Sequence, residues 1–246
     1  MTAPAPETPM LSLVVPAYNE AANITPVVHE ILSVLAASTW VDGYEVILVD
    51  DGSSDGTGAV MDALAREHPE LTAVHHPRNR GFGAALRTGF THTRGRVVSL
   101  MSADGELGVD QILNLLRDFG DDDLVLSRRE RTVGVERRFL TWGFDLLVRV
   151  ILGFWIDKDV GIYLVRGDLV RSLTLVSDTG LANLELILHC RQQGRRVTRG
   201  GVTRFRQRLS GQSKVANVST VARTLWEMVK LRWRLVMRRQ YNRAAD

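Results

Sequence analysis

Short apolar runs alternate with amphipathic stretches over the first half of the chain. Leu11-Ser12-Leu13-Val14-Val15 predicts a strand ended by Pro16, and 21–37 then places Ile24, Val27, Val28, Ile31 and Leu35 at helical spacing. The alternation continues with strands expected at 44–49, 71–74, 97–101 and 123–126. Between them, helices are expected at 57–66, 84–93 and 109–117. Strands that alternate with helices require right-handed crossovers and a largely parallel α/β sheet. In such sheets ligands bind beyond the carboxyl ends of the strands.

That rule directs attention to the residues just past each apolar run. The run 97–101 stops at Asp104 and Glu106, separated by Gly105. Two carboxylates at this spacing can share a hard divalent cation such as Mg²⁺, the remaining ligands being water and substrate phosphate. Standing alone, Ala103-Asp104-Gly105-Glu106 would read as a solvated turn. It does not stand alone, because Glu20, Asp50 and Asp51 also come just after strand ends and share one rim. On the same rim, Asn79-Arg80-Gly81-Phe82-Gly83 opens a helix, where backbone N–H groups and a cation favour an anion.

Composition narrows the setting. The chain has 246 residues and one cysteine, Cys190, which excludes an intrachain disulfide and fits a reducing, cytoplasmic compartment. Residues 1–10 read as a loose tail, with neither the basic nor the apolar region of a signal peptide. The stretch 139–156 is interrupted by Asp145 and Arg149, which disfavours a membrane span. Charge is divided unevenly: residues 1–126 carry 7 Lys/Arg against 18 Asp/Glu, and residues 127–246 carry 24 against 10. An acidic first half suits a metal, and a basic second half suits phosphate or a membrane surface. No recognised nucleic-acid motif accompanies the basic residues, so nucleic acid is not expected as a partner.

The motifs themselves are familiar in their order. Val14-Val15-Pro16-Ala17-Tyr18-Asn19-Glu20, Val49-Asp50-Asp51-Gly52-Ser53-Ser54-Asp55-Gly56-Thr57 and Asn79-Arg80-Gly81-Phe82-Gly83-Ala84-Ala85 resemble the successive motifs of family 2 glycosyltransferases. The resemblance implies the Rossmann-like GT-A fold, with a mostly parallel sheet flanked by helices, and a nucleotide-sugar donor carrying GDP or UDP. It implies that Pro16, Tyr18, Glu20, Val49 and Asp51 hold the nucleoside, and that Arg80, Ser102, Ala103 and Asp104 complete the donor site. Ser102-Ala103-Asp104 occupies the place of the family's Asp-x-Asp metal motif, with Ser102 where an aspartate commonly stands. Glu106 stands where the related subfamily often has glutamine, so the site keeps two carboxylates but moves one. Mg²⁺ or Mn²⁺ on Asp104 and Glu106 is the expected cofactor.

Within the family, the second half resembles the polyprenyl-phosphate glycosyltransferases, typified by dolichyl-phosphate mannose synthase. Arg129, with Arg128 beside it, stands at the phosphate-binding arginine of that subfamily, and Arg208-Leu209-Ser210-Gly211-Gln212-Ser213-Lys214 matches its Arg-x-x-Gly-x-Ser-Lys loop. Arg208 and Lys214 are carried over as phosphate ligands, a task to which a guanidinium fork and a compact ammonium are suited. Val160 and Tyr163 replace residues of an acceptor-side turn. A transferase domain is expected over 11–214, with a basic amphipathic helix and tail over 215–246. That helix, with Trp226 and Trp233, and a second amphipathic helix at 137–156 are expected on the membrane surface. A membrane subunit or a second copy of the chain would be a further partner.

The resemblance implies an inverting hexosyltransferase that passes a sugar to a polyprenyl phosphate, peripherally bound at a cytoplasmic membrane face. A phosphate acceptor is largely a dianion at neutral pH and needs no general base. A rival is transfer to a hydroxyl or amine of a soluble acceptor, which does need a base. Asp157, Asp159 and Glu185 are the candidates for it. A third reading is a silent nucleotide-sugar-binding subunit.

Overall fold

The computed structural model describes residues 8–130, 149–150, 160–207, 223 and 225–233. Most of the helix expected at 137–156, most of that expected at 215–239, and the residues Asp157, Asp159, Arg208 and Lys214 lie outside the described residues.

The expected alternation is present. In chain order the elements are β1 (Leu11–Ala17), α1 (Ala21–Ala36), β2 (Tyr44–Asp50), α2 (Thr57–Glu67), β3 (Leu71–His75), α3 (Phe82–His92), β4 (Val97–Leu100), α4 (Val109–Arg117) and β5 (Leu124–Arg129). Then come β6 (Val160–Arg166), α5 (Gly167–Ser172), α6 (Leu181–Gln192) and β7 (Val197–Thr203). The strands form one sheet in the order β3-β2-β1-β4-β6-β5-β7. Only β6 runs against the others, pairing antiparallel with both β4 and β5.

Burial on both faces explains why the strands read as unbroken apolar runs. Along β1, Leu11, Leu13 and Val15 enter one core with α1, α2 and α4. Val14 faces the other core, shared with Ile47, Val49 and the inner sides of α3, α5 and α6. Cys190 is fully buried in that second core, as a packed helix residue.

Three elements depart from the pattern of the sequence. The segment at 160–163, expected as a turn, begins strand β6, in which Ile162, Tyr163, Leu164 and Val165 are buried. Its place is set by partners far away in sequence: Ser99 donates its hydroxyl to the Tyr163 carbonyl, and the Ile162 N–H bonds Ser127 Oγ. Strand β7 has no counterpart in the expected elements, because Val197–Thr203 contains two glycines and no apolar alternation. Gly200 lets the strand pass close to α4, since a Cβ there would stand 2.6 Å from Leu115 Cδ1 and that side chain would have to shift. Finally, α6 opens at Leu181, whereas the sequence predicts this helix only over 184–193.

Candidate active site at the strand-end rim

Because β1 to β5 and β7 run parallel, their carboxyl ends share one rim, and β6 enters from that rim. The loops after β1 and β2 are laced together there. Asn19, in the left-handed region at φ 54°, gives its N–H to Ser53 Oγ and accepts the Ser54 N–H on Oδ1. The Glu20 N–H bonds Thr57 Oγ1 at 2.8 Å, and Glu20 Oε2 accepts from Asn23. Tyr18 is exposed at 38% and Pro16 is half-buried. Val49, opposite Pro16 in the sheet register, is fully buried and supports the rim from beneath.

The two aspartates at the end of β2, Asp50 and Asp51, are engaged by protein groups. Asp50 accepts the Ser53 N–H at 2.9 Å and faces His75 Nδ1 at 3.4 Å, while His75 Nε2 meets Asp62 at 3.0 Å. Burial pulls the His75 pKa down, but the carboxylates of Asp62 and Asp50 outweigh it and raise it above the ordinary value. Asp51, expected at the nucleoside, is 3% exposed. Its Oδ1 accepts the Arg80 N–H at 2.9 Å and its Oδ2 the Gly81 N–H at 2.8 Å. His76 Nδ1 lies 2.7 Å from the same carboxylate and its Nε2 reaches Thr88 of α3. Asp51 therefore builds the glycine-rich loop. Gly81 has φ 98°, and a Cβ would stand 2.4 Å from the Asp178 carbonyl oxygen, so only glycine fits. The Arg80 side chain remains exposed at the rim.

After β4 the chain makes a tight acidic turn. Asp104 Oδ1 accepts the Glu106 N–H at 3.0 Å across Gly105, at φ 75°, so both carboxylates belong to one turn. Ala103 is buried beneath it, and Ser102, Asp104 and Glu106 are half-buried. The exit of β7 is fastened to this turn: the Arg206 N–H donates to the Glu106 carbonyl at 2.7 Å. Gln111 clamps the Arg204 backbone through both its amide atoms, and the Arg206 guanidinium bridges Glu30 and Asp110. The chain thus leaves the acidic turn two residues before Arg208.

The family described as Glycosyl transferase family 2 matches residues 12–164. The chain belongs to this family. A dolichyl-phosphate beta-glucosyltransferase of Trichomonas vaginalis is 32% identical over 155 residues, 56% of this chain and 46% of that protein. An undecaprenyl-phosphate mannosyltransferase of Micrococcus luteus is 27% identical over 216 residues, 82% of this chain and 86% of that protein. The chain spans about half the length of the dolichyl-phosphate glucosyltransferases it matches. Among solved structures, glucosyl-3-phosphoglycerate synthase from Mycobacterium tuberculosis superposes with TM-score 0.64 at 21% identity, covering 91% of this chain and 80% of that one. A mannosyltransferase from Pyrobaculum calidifontis gives TM-score 0.57 at 24% identity, covering 82% and 58%. These likenesses establish the fold as GT-A.

The basic side of this family 2 glycosyltransferase is arranged by a β-bulge. The register of β5 shifts at Ser127 and Arg128, which re-aims the strand end. Arg128 and Arg129 emerge exposed on the rim, and the Arg129 guanidinium lies 3.9 Å from the centre of the Phe205 ring. Between β6 and α6, a cavity of about 190 Å³ is lined by Leu100, Ile162, Tyr163, Asn183 and Leu184. The Tyr163 hydroxyl donates to Asn183 Oδ1 at 3.1 Å, and burial pushes its pKa up.

Glu185 is 2% exposed and accepts the N–H groups of Val176 and Ser177 at 3.0 and 2.9 Å. Burial pushes its pKa up, but His189 and those two N–H groups outweigh it and hold the carboxyl below the usual range. A carboxylate so engaged fixes the segment before α6. Sequence reasoning passes over His76, Gln111, Arg206 and the segment 177–179. His76 comes directly after the end of β3, so the strand-end rule that flags the carboxylates could have found it.

Proposed function

We propose that this transferase moves a sugar from a nucleoside diphosphate donor to a polyprenyl phosphate, with inversion at the anomeric carbon. The observation that carries this reading is the match with an undecaprenyl-phosphate mannosyltransferase over most of both chains. The rim supports it, because the loop that carries Arg80, an acidic turn and exposed arginines all lie at strand ends on one side of the sheet.

The acidic turn fits a divalent cation. It offers carboxylate oxygens, which suit Mg²⁺ or Mn²⁺. Among the described residues no group of three or more His, Cys, Asp or Glu could hold a metal. Asp104 and Glu106 would therefore be the protein's share, water and the donor diphosphate completing the shell. When bound, the metal supplies charge neutralisation at the diphosphate. The solved mannosyltransferase from Pyrobaculum calidifontis carries GDP-mannose and Mn²⁺, in keeping with such a site.

In the transfer, a lone pair of the acceptor phosphate forms the new bond to the anomeric carbon. It approaches from the face opposite the donor diphosphate, whose oxygen departs with the electron pair of the old bond. The Arg80 side chain holds the diphosphate, the N–H groups of Arg80, Gly81 and Gly83 being taken by Asp51 and the Asp178 carbonyl, with Pro16, Tyr18 and Glu20 around the nucleoside. Arg129, Arg208 and Lys214 bind the acceptor phosphate and offset the charge that grows on the leaving group. The acceptor is already a nucleophilic dianion, so no base is required.

Membrane contact would come from the C-terminal helix. In residues 225–233, Met228 and Leu231 are buried against Leu181 and Leu188, while Trp226, Val229 and Trp233 are exposed beside Lys230 and Arg232. Aromatic and basic side chains on one outer face suit an anionic leaflet. Among the described residues no helix is long and apolar enough to cross a membrane.

The test is an incubation with Mn²⁺ or Mg²⁺, radiolabelled GDP- and UDP-sugars and a short polyprenyl phosphate, with organic extraction of the products. Label entering the organic phase only when lipid is present is the expected result. Donor consumption with label retained in the aqueous phase would favour a soluble acceptor. Nucleotide binding without turnover would favour a silent binding subunit.

A further inference from the structure

The Arg80–Gly81 loop, held from within by Asp51, is also held from outside by a residue near the C-terminus. Arg223 Nη2 donates to the Arg80 carbonyl oxygen at 3.0 Å, across 143 positions of sequence, and to Asp178 Oδ2 at 3.2 Å. Its Nε lies 3.6 Å from Glu227 Oε1, one helical turn further on. Glu227 accepts the N–H groups of Asp178 and Thr179 and the Thr179 hydroxyl, the last at 2.7 Å. From α3, Arg87 donates to the Ser177 carbonyl and the Asp178 carboxylate. The Asp178 carbonyl closes the circuit by accepting the Gly83 N–H at 2.9 Å.

Two features distinguish this network from a solvated helix end. A guanidinium bonded to a backbone carbonyl fixes that peptide's orientation, which a surface ion pair would not do. The peptide concerned carries Arg80, and the next N–H groups belong to the opening turn of α3. Held by Asp51 through its N–H groups and by Arg223 through its carbonyl, the loop has its backbone set from both sides.

We infer that Arg223 is a positioning residue for the donor site: by holding the Arg80 carbonyl it sets the loop from which the exposed Arg80 side chain meets the donor diphosphate. The inference rests on the proposed donor reading. Residues 223–233 then belong functionally to the donor site and are more than a membrane appendage.

Calorimetric titration of the full chain with UDP and with GDP, each with Mn²⁺, tests it. The unaltered protein is expected to bind one of the two. Arg223→Ala is expected to weaken that binding about tenfold, one charged hydrogen bond's worth. Its thermal midpoint should stay near that of the unaltered protein, because the side chain is 45% exposed. In turnover, Arg223→Ala should raise the donor KM while leaving the acceptor KM and kcat near their original values. Arg223→Gln, which keeps a donor for the Arg80 carbonyl, should recover part of the affinity. Equal nucleotide affinity for Arg223→Ala and the unaltered protein would overturn the inference. So would a loss shared by the acceptor KM and the thermal midpoint, the mark of a merely structural role. If the unaltered protein binds neither nucleotide, the donor reading itself fails and the inference falls with it.

Discussion

The loops after β2 and β4 both present carboxylates on the rim, one strand removed on either side of β1, yet they use them differently. Asp51 is buried, and its oxygens are taken by two backbone N–H groups and a histidine. Asp104 is half-buried and gives one oxygen to a two-residue turn that brings Glu106 alongside. A buried carboxylate needs several donors to offset its desolvation. A carboxylate meant for a cation must keep some access to solvent and substrate. Neighbouring acidic motifs therefore differ in setting: one is buried and holds the rim together, and the other keeps the partial exposure that the proposed cation would need.

The sharpest way to break this contrast is to remove each carboxylate in turn. Asp104→Ala should lower kcat/KM by on the order of 10²-fold or more. Its thermal midpoint should move little, which differential scanning fluorimetry checks. Unchanged turnover would refute the metal assignment. Asp51→Ala should act in the opposite sense. It strands the Arg80 and Gly81 N–H groups and His76, and should cost about 2–4 kcal/mol of unfolding free energy. In a chain of this size that lowers the midpoint by roughly 5–10 °C, with nucleotide affinity falling as the loop loosens.

Glu106→Gln refines the same comparison with a smaller expected effect. If Glu106 supplies the charge that Ser102 lacks, the Mn²⁺ concentration for half-maximal rate should rise about tenfold. An unaltered metal requirement would show that Asp104 suffices alone. The smallest effect belongs to the shell around Asp50. His75 has its pKa raised by Asp62 and Asp50 in the folded protein, so its protonated form is favoured by folding. Its stabilisation is fully present below the unfolded value of about 6.5 and is lost as pH rises through the higher folded value. The stability difference between the unaltered protein and His75→Gln should accordingly shrink as pH rises from below about 6.5 through the higher folded value. NMR titration of the ring should find its pKa above the ordinary histidine value.

Much of the β3-β2-β1-β4 side of the sheet was legible because its signals are local. An unbroken apolar run needs cover on both faces, and an Asp-Gly or Asn-x-Gly cluster after it needs a turn. Those two facts place Glu20, Asp50, Asp51, Arg80, Asp104 and Glu106 on one rim from the chain alone. The β6-β5-β7 side resisted the same reading. Val160–Arg166 is apolar enough for a strand, but its antiparallel insertion between β4 and β5 depends on Ser99 and Ser127. Val197–Thr203 lacks any periodicity, and β5 together with the close pass beneath Leu115 makes it a strand.

The sequence by itself determined the layered α/β order, the family and the set of acidic and basic loops at the strand ends. Period and turn chemistry act over a few residues and leave a direct trace in the chain. Tertiary structure alone decided how those loops divide their tasks. Whether an aspartate faces a ligand or a backbone depends on which N–H groups the register brings into hydrogen-bond range, here 2.8 and 2.9 Å for Asp51. Whether Arg223 reaches the Arg80 carbonyl depends on how the chain packs across 143 positions of sequence.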